Sequence, residues 1–495
     1  MFDPADLVPR LRQFVTSPPE RNFVEFEGRW WTAKDVARKG REIVRLLDDA
    51  AVPADVAIGV VVRTHVESAA ALIGLAAAAR PITMIQPYQS SSLVARNVTT
   101  LNLAVVIAEE EDWTDDLRAC LGDGRIGILL PKDREPPRFA APPPDTLMDP
   151  RRTYPRMVVE VLSSGTTGAP KNIPLEMSAL VRGVQIITVA GDNVERQVEF
   201  LFAPLTSIGG ILPLLAYPLV GARFCMFERF KVDTWVDAVK RHRPKSAGAT
   251  PAIIRSILEA QVPREALESI KVMYGGAGPL DMETRKRFAE TYDVDLCWGY
   301  GATEFAGTLA GWTPQLKAEL GGDRPNSVGR ALPGIRVRVT DPETGAELPI
   351  DMEGRLEATI PGISEDWIKT NDLGKIDADG IIYVFGRLDG AINRGGFKIL
   401  PEVIADALRL HPSVRDAGVV GVTHPRLGEV PLAAVELVRG AVPVTGEDLR
   451  AFTRQHLPSP SVPVDVLIFD ELPRNAMHKI NLSALRAMCE VPAAK

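Results

Sequence analysis

Met157-Val158-Val159-Glu160-Val161-Leu162 runs without a break into Ser163-Ser164-Gly165-Thr166-Thr167-Gly168-Ala169-Pro170-Lys171. The first six residues, rich in apolar and β-branched side chains, read as a strand. The next nine read as a loop delivered by that strand. Gly165 and Gly168 let the backbone turn tightly and aim several N–H groups at one point. The hydroxyls of Ser163, Ser164, Thr166 and Thr167 and the ammonium of Lys171 add donors, a set suited to a polyphosphate. Composition alone fits a flexible polar linker equally well. A Walker loop is excluded, because Pro170 rather than Gly precedes the lysine and Asn172 follows it.

Outward from this stretch, strand-like and helix-like patterns alternate. Residues 33–50 have helical spacing with charged residues on the outer face, 56–62 form a β-branched apolar run, and 66–79 are again helical. Such alternation predicts an α/β fold with largely parallel sheets. A proline-rich segment, 136–144, reads as a surface connection. From 321 to 383, short β-rich segments are separated by Asp-Pro, Thr-Gly, Glu-Gly and Asp-Gly turns. Beyond Gly386 a tail begins with its own pattern. Pro401 starts a helix through 410, 414–422 and 431–437 are strands, Thr445 to Asp448 make a capping box for a helix ending near 457, and 464–469 is a further strand. The expected architecture is α/β: a large N-terminal domain of several subdomains, with parallel sheets plus a β-rich subdomain, and a small mobile α+β C-terminal domain. The domains are placed at 1–388 and 389–495.

The chain has 495 residues, 45% hydrophobic and 24% charged, long enough for about three units with substantial cores. Lys and Arg total 57 against 64 Asp and Glu, a net charge of −7. That balance argues against nucleic acid, which needs a broad basic face. Cys120, Cys225, Cys297 and Cys489 lie far apart and read as free, buried thiols. The acidic start, Met1 to Asp6, is no signal peptide. The apolar stretches 69–79 and 208–227 are too short or too interrupted by Gly and Pro to span a membrane. A cytoplasmic enzyme is expected, with a homodimer as a candidate assembly.

The order Ser-Ser-Gly-Thr-Thr-Gly-x-Pro-Lys strongly resembles the phosphate-binding loop of the adenylate-forming, or AMP-binding, superfamily of acyl-CoA synthetases, peptide-synthetase adenylation domains and beetle luciferases. The superfamily's other motifs follow in order. Trp298-Gly299-Tyr300-Gly301-Ala302-Thr303-Glu304 resembles Tyr-Gly-x-Thr-Glu, which implies that Gly299 and Tyr300 pass under the nucleotide, Thr303 contacts the α-phosphate and Glu304 helps hold Mg²⁺. Tyr274 to Pro279 resembles the loop lying flat on adenine, with Gly276 and Ala277 as contacts and an extra glycine at 278. Thr370-Asn371-Asp372-Leu373-Gly374 implies that Asp372 accepts hydrogen bonds from the ribose hydroxyls, and Arg387 is the implied second nucleotide contact. By the same resemblance Asp389 is the hinge, and Gly395, Gly396 and Lys398 line the thiol channel. Lys479 falls on the adenylation lysine, whose fixed ammonium offsets the negative charge that accumulates as a carboxylate attacks the α-phosphate. Met477-His478 replaces the usual Ser-Gly before it.

The resemblance implies ATP, Mg²⁺ and CoA, acting with a small carboxylic acid. Thr206, Ser207, Gly210 and Gly301 are the expected acyl-pocket residues. No aspartate occurs from Phe200 to Met226, where amino-acid-activating relatives pair the α-ammonium, so a non-amino acid, aryl or aliphatic, is expected. The leading reading is an acid–CoA ligase. Its alternatives are a stand-alone adenylation enzyme that loads a carrier protein's phosphopantetheine thiol, and a nucleotide-binding protein without catalysis.

Overall fold

The computed structural model describes residues 6–149, 152–162, 172–189, 197–276, 278, 280–322, 324–388, 390–394, 397–475 and 479–490. The loop 163–171, Ala277, Asp389, Gly395, Gly396, Met477 and His478 lie outside that set, as do the side chains of Glu304 and Lys398.

The amphipathic pattern at 33–50 becomes the helix Ala33–Asp49. Thr32 starts it with the reciprocal bonds of a capping box: its hydroxyl accepts from Asp35 N (3.1 Å) and the Asp35 carboxylate accepts from Thr32 N (3.1 Å). The buried face, Val36, Ile43 and Leu47, packs on the helix Val66–Ala77, which is buried on every side. The two cross at Gly40 and Gly74, so closely that a Cβ on Gly74 would come within 2.6 Å of Gly40 Cα. This enclosure explains the apolar stretch 69–79. The stretch 208–227 is likewise internal: the helix Ile208–Val220 ends at Gly221, in the left-handed conformation, and returns as the strand Arg223–Met226. No helix among the described residues is long and apolar enough to cross a membrane.

Four sheets are formed among the described residues. The seven-stranded sheet has a parallel interior, with Val105–Glu109, Ile58–Val61, Ile82–Ile85 and Val158–Leu162 in succession. Its antiparallel edge includes Arg138–Phe139, so part of the proline-rich 136–144 segment is strand rather than connection. A four-stranded sheet ends on the edge strand Val198–Leu201. A nine-stranded sheet begins with three parallel strands, Ser246–Ala249, Val272–Gly275 and Asp295–Ala302, and continues antiparallel through the β-rich 307–387 segment. The fourth sheet, five strands between Ile392 and Phe469, is the core of a smaller α+β C-terminal domain. Its helices Pro401–Arg409 and Gly446–His456 carry the expected N-terminal proline and Thr445–Asp448 capping box.

Candidate active site

The motif residues gather on one edge of the nine-stranded sheet. Parallel pairing aligns Gly275 with Trp298, which carries Gly276 to the start of the Gly299–Gly301 segment. There the backbones nearly touch: a Cβ on Gly276 would lie 3.0 Å from Gly299 O, and one on Gly301 would lie 2.2 Å from Gly307 O. These glycines are required by close backbone approach. Thr303 opens a single 3₁₀ turn, closed by Ala306 N–H donating to Thr303 O at 3.0 Å. Ala306 there takes a φ of +51°, a left-handed conformation uncommon for a residue with a side chain.

Asp372 comes from the long strand Ser364–Ile376 and stands opposite Arg387 across the ladder. Its N–H donates to Thr370 Oγ1 (2.9 Å), whose own hydroxyl donates to Leu356 O (2.7 Å). The Tyr300 hydroxyl donates to the Asp372 carboxylate. Burial, and then the Asp372 charge, push the Tyr300 phenol far above its ordinary range, so it stays a donor. Three strands, Asp295–Ala302, Ser364–Ile376 and Ile381–Arg387, thus bring together a tyrosine, a carboxylate and a guanidinium.

Lys479 comes from the C-terminal domain on a short hairpin. Arg474 and Ile480 pair as an antiparallel bridge, Asn475 N donates to Lys479 O (2.8 Å), and Lys479 N donates to Asn475 Oδ1 (3.1 Å). The residue keeps solvent access, yet protein crowds its ammonium, and this desolvation lowers its pKa from the ordinary lysine value. The hairpin is anchored at its base. Arg474 Nη2 lies 2.9 Å from Asp416 Oδ2 and 3.2 Å from Glu436 Oε2. Asp416 also receives Arg409 at 2.9 Å and faces Arg255 of the large domain at 3.9 Å. Arg255 in turn reaches Asp281 (3.4 Å), the N-cap of the helix Met282–Tyr292 that follows the 274–279 segment. Beside them Arg415 donates to Glu259 of the large domain (2.8 Å). Glu402, the acid of the first C-terminal helix, is buried against the strand that ends in Arg387: a Cβ on Gly386 would meet its Oε2 at 2.7 Å. Desolvation raises the Glu402 pKa. Of these seam residues only Arg474 falls in a motif segment, the 472–480 stretch that also carries Lys479.

A cavity of about 200 Å³ opens beside this edge, between the edge strands Val198–Leu201 and Ser246–Ala249 and against the helix Ile208–Val220. Gly209, Pro213 and Tyr217 face it one helical turn apart, and Phe202, Gly248 and Tyr274 close its sides. Thr206, Ser207, Gly210 and Gly301 are not among its lining residues. Thr206 is buried, Ser207 donates to Pro204 O (2.7 Å), and Gly210 packs on the Pro204 carbonyl. One lining residue is charged, Glu199, one position before the stretch that the sequence shows to lack aspartate. The wall is neutral near the loop and acidic at depth. All four cysteines are buried, and burial pushes the Cys225 thiol up to about 12.

Comparison with known proteins agrees with this geometry. Residues 11–365 match the AMP-binding enzyme family, and residues 404–479 its C-terminal domain. A 4-coumarate–CoA ligase of Humulus lupulus is 26% identical over 92% of this chain and 88% of its own length. A 2-succinylbenzoate–CoA ligase of Bacillus pumilus is 23% identical over 96% of each chain. With the putative acyl–CoA ligase YdaB of Bacillus subtilis, also 26% identical, the match spans 66% of each. ATP-bound MatB from Rhodopseudomonas palustris superposes with a TM-score of 0.82, at 22% identity, over 97% of this chain and 98% of that one. With its large and C-terminal parts both matched in order, the chain belongs to the AMP-binding enzyme family.

Proposed function

We propose that this AMP-binding enzyme is an ATP-dependent acid–CoA ligase for a carboxylic acid, aryl or aliphatic, without an α-amine. The observation that carries the reading is Lys479: a desolvated ammonium on an anchored hairpin of one domain, in a chain whose other domain gathers Tyr300, Asp372 and Arg387 on one sheet edge. The domain boundary is placed at Asp389, between Arg387 and the first strand of the small domain.

In the proposed reaction the acid's carboxylate oxygen attacks the α-phosphorus of ATP. The bond to the bridging oxygen breaks, and pyrophosphate leaves with both electrons of that bond. Asp372 accepts from the ribose hydroxyls while Tyr300 holds its carboxylate in place. Thr303 is assigned to the α-phosphate and Lys479 to the charge between the two anions. Lys479 is suited to that position because the surrounding protein already removes part of the water from its ammonium, which favours an anionic partner. Glu304 is assigned to Mg²⁺, which when bound neutralises phosphate charge. In the second half-reaction the CoA thiol attacks the acyl carbon and AMP leaves. Gly395, Gly396 and Lys398 are assigned to its channel.

Pyrophosphate release measured on an acid panel, with and without CoA, tests this. Acid-dependent pyrophosphate together with CoA thioester is expected. Pyrophosphate without thioester would redirect the acyl group to a carrier-protein thiol, and no pyrophosphate with any acid would sink the reading.

A further inference from the structure

The cavity beside the nucleotide edge is not uniform along its length. At its near end lie Ala203 and Gly209, next to the 204–210 loop, and Tyr274, just before Gly275-Gly276. Its three walls then run away from that edge together. Glu199 lies back along the Val198–Leu201 strand, at about 3.3 Å per residue, and Ser246 lies back along the neighbouring edge strand. Tyr217 is eight positions beyond Gly209 on the helix, a rise of about 12 Å. The far end therefore brings together a carboxylate and two hydroxyls, whereas Phe202, Gly209 and Pro213 nearer the edge are apolar.

The carboxylate at the far end is short of donors. Gln197 Nε2 donates to Glu199 Oε1 at 2.5 Å, and among the described residues no cation pairs with it. Tyr217, almost wholly buried, finds no hydrogen-bond partner among them either. Burial, opposed only by the Gln197 bond, raises the Glu199 pKa. Pro213 compounds the shortage, since it has no N–H to offer the Gly209 carbonyl. A half-buried, desolvated acceptor of this kind is costly unless something donates to it. Size narrows the occupant further: an apolar cavity of about 150 Å³ holds one benzene, so about 200 Å³ suits one ring with a small substituent.

We infer that Glu199, with Tyr217, reads the end of the acyl group remote from the reacting carboxylate, and selects a single-ring aromatic acid bearing a hydrogen-bond donor there, an amine or a hydroxyl. This rests on the ligase reading and deepens it. It is compatible with the missing aspartate near the 204–210 loop, which concerns an α-amine beside the carboxylate; Glu199 lies at the opposite end.

The test is pyrophosphate release with matched pairs of one-ring aromatic acids, each unsubstituted or carrying an amino or hydroxyl group opposite the carboxylate. A hydrogen bond to a charged acceptor predicts roughly 10- to 100-fold higher kcat/KM for the donor-bearing member, expressed mainly in KM. Glu199→Leu should abolish or reverse that preference while sparing the unsubstituted acid. Glu199→Gln, whose amide oxygen still accepts, should retain part of the preference for both the hydroxyl and the amine, since an arylamine is uncharged near neutral pH and donates as the hydroxyl does. Equal turnover of both members of each pair, or an equal loss on all acids in Glu199→Leu, would overturn the inference while leaving the ligase reading intact. No pyrophosphate with any acid would overturn both.

Discussion

The seam between the two domains and the cavity proposed for the acyl group each desolvate a carboxylate, fully at Asp416 and in part at Glu199, and they treat it in opposite ways. Asp416 sits where Arg409 and Arg474 reach it at 2.9 Å and Arg255 stands at 3.9 Å. Burial alone would raise its pKa, but these guanidiniums overcome that and hold it well below the usual carboxylate range. Glu199 has a single amide donor, and burial wins. The charge that holds the architecture is surrounded by partners within the protein, and the charge assigned to ligand recognition is left short of them. Lys479 belongs with Glu199: a partly desolvated cation whose proposed partner is a substrate.

The contrast can be broken in four places. The largest effect is expected at Lys479, where replacement by Ala should slow acyl-AMP formation by roughly 10²- to 10³-fold, the scale for one preorganised transition-state contact. Thioester formation from supplied acyl-AMP should stay near normal, and equal loss in both half-reactions, measured separately, would show that Lys479 is merely structural. Next is Asp416→Asn, which leaves three guanidiniums without their shared anion. Loss of one partner from a buried ionic cluster costs about 3–5 kcal/mol, to be read by denaturant unfolding of the C-terminal domain.

The two carboxylates should then give pH dependences of opposite sign. Asp416 has a depressed folded pKa, so its stabilisation is present above the ordinary aspartate value and is lost as pH falls through the folded one. Glu199 has a raised folded pKa, so its contribution is present below the ordinary glutamate value and is lost as pH rises through the raised one. Ligand-free Glu199→Gln should therefore lose less stability than wild type on going from acid to neutral pH. Identical pH–stability curves would remove the distinction. The smallest effect is expected for Glu259→Gln. Its bond to Arg415 is partly exposed, and such pairs contribute about 0–1 kcal/mol, so unfolding should hardly change.

What could be read from the sequence follows the same division. Gly276, Gly299 and Gly301 were recognisable because close backbone approach demands glycine at fixed local spacing, whatever lies elsewhere. The capping boxes at Thr32 and Thr445 are equally local, and the Thr445 one is evident from its spacing. The seam is not local: Arg255 and Asp416 come from distant segments and each alone reads as an ordinary surface charge, while Arg474, although in the segment that carries Lys479, gives no sign in the sequence of the partners it meets. The cavity lies between these cases. Gly209, Pro213 and Tyr217 recur at i, i+4 and i+8 and could have flagged one wall, but only the meeting of two edge strands shows that Glu199 and Ser246 face the same space. A search confined to aspartate from 200 to 226 passes over a glutamate at 199.

The join between the two domains has a mechanical consequence. The strand Ile381–Arg387 belongs to the large domain and Ile392–Arg394 to the small one, and the chain crosses between them once, through residues 388–391. Its departure is fixed by Leu388 N–H donating to Asn371 O at 2.6 Å, next to Asp372. Even fully stretched, those few residues reach only about 17 Å. The small domain is thus leashed beside Asp372, the carboxylate proposed to bind ribose, and its freedom is to swivel rather than to drift. In the proposed reaction, Lys479 accordingly meets the nucleotide as an intramolecular partner, at a local concentration on the order of millimolar or above, however dilute the enzyme.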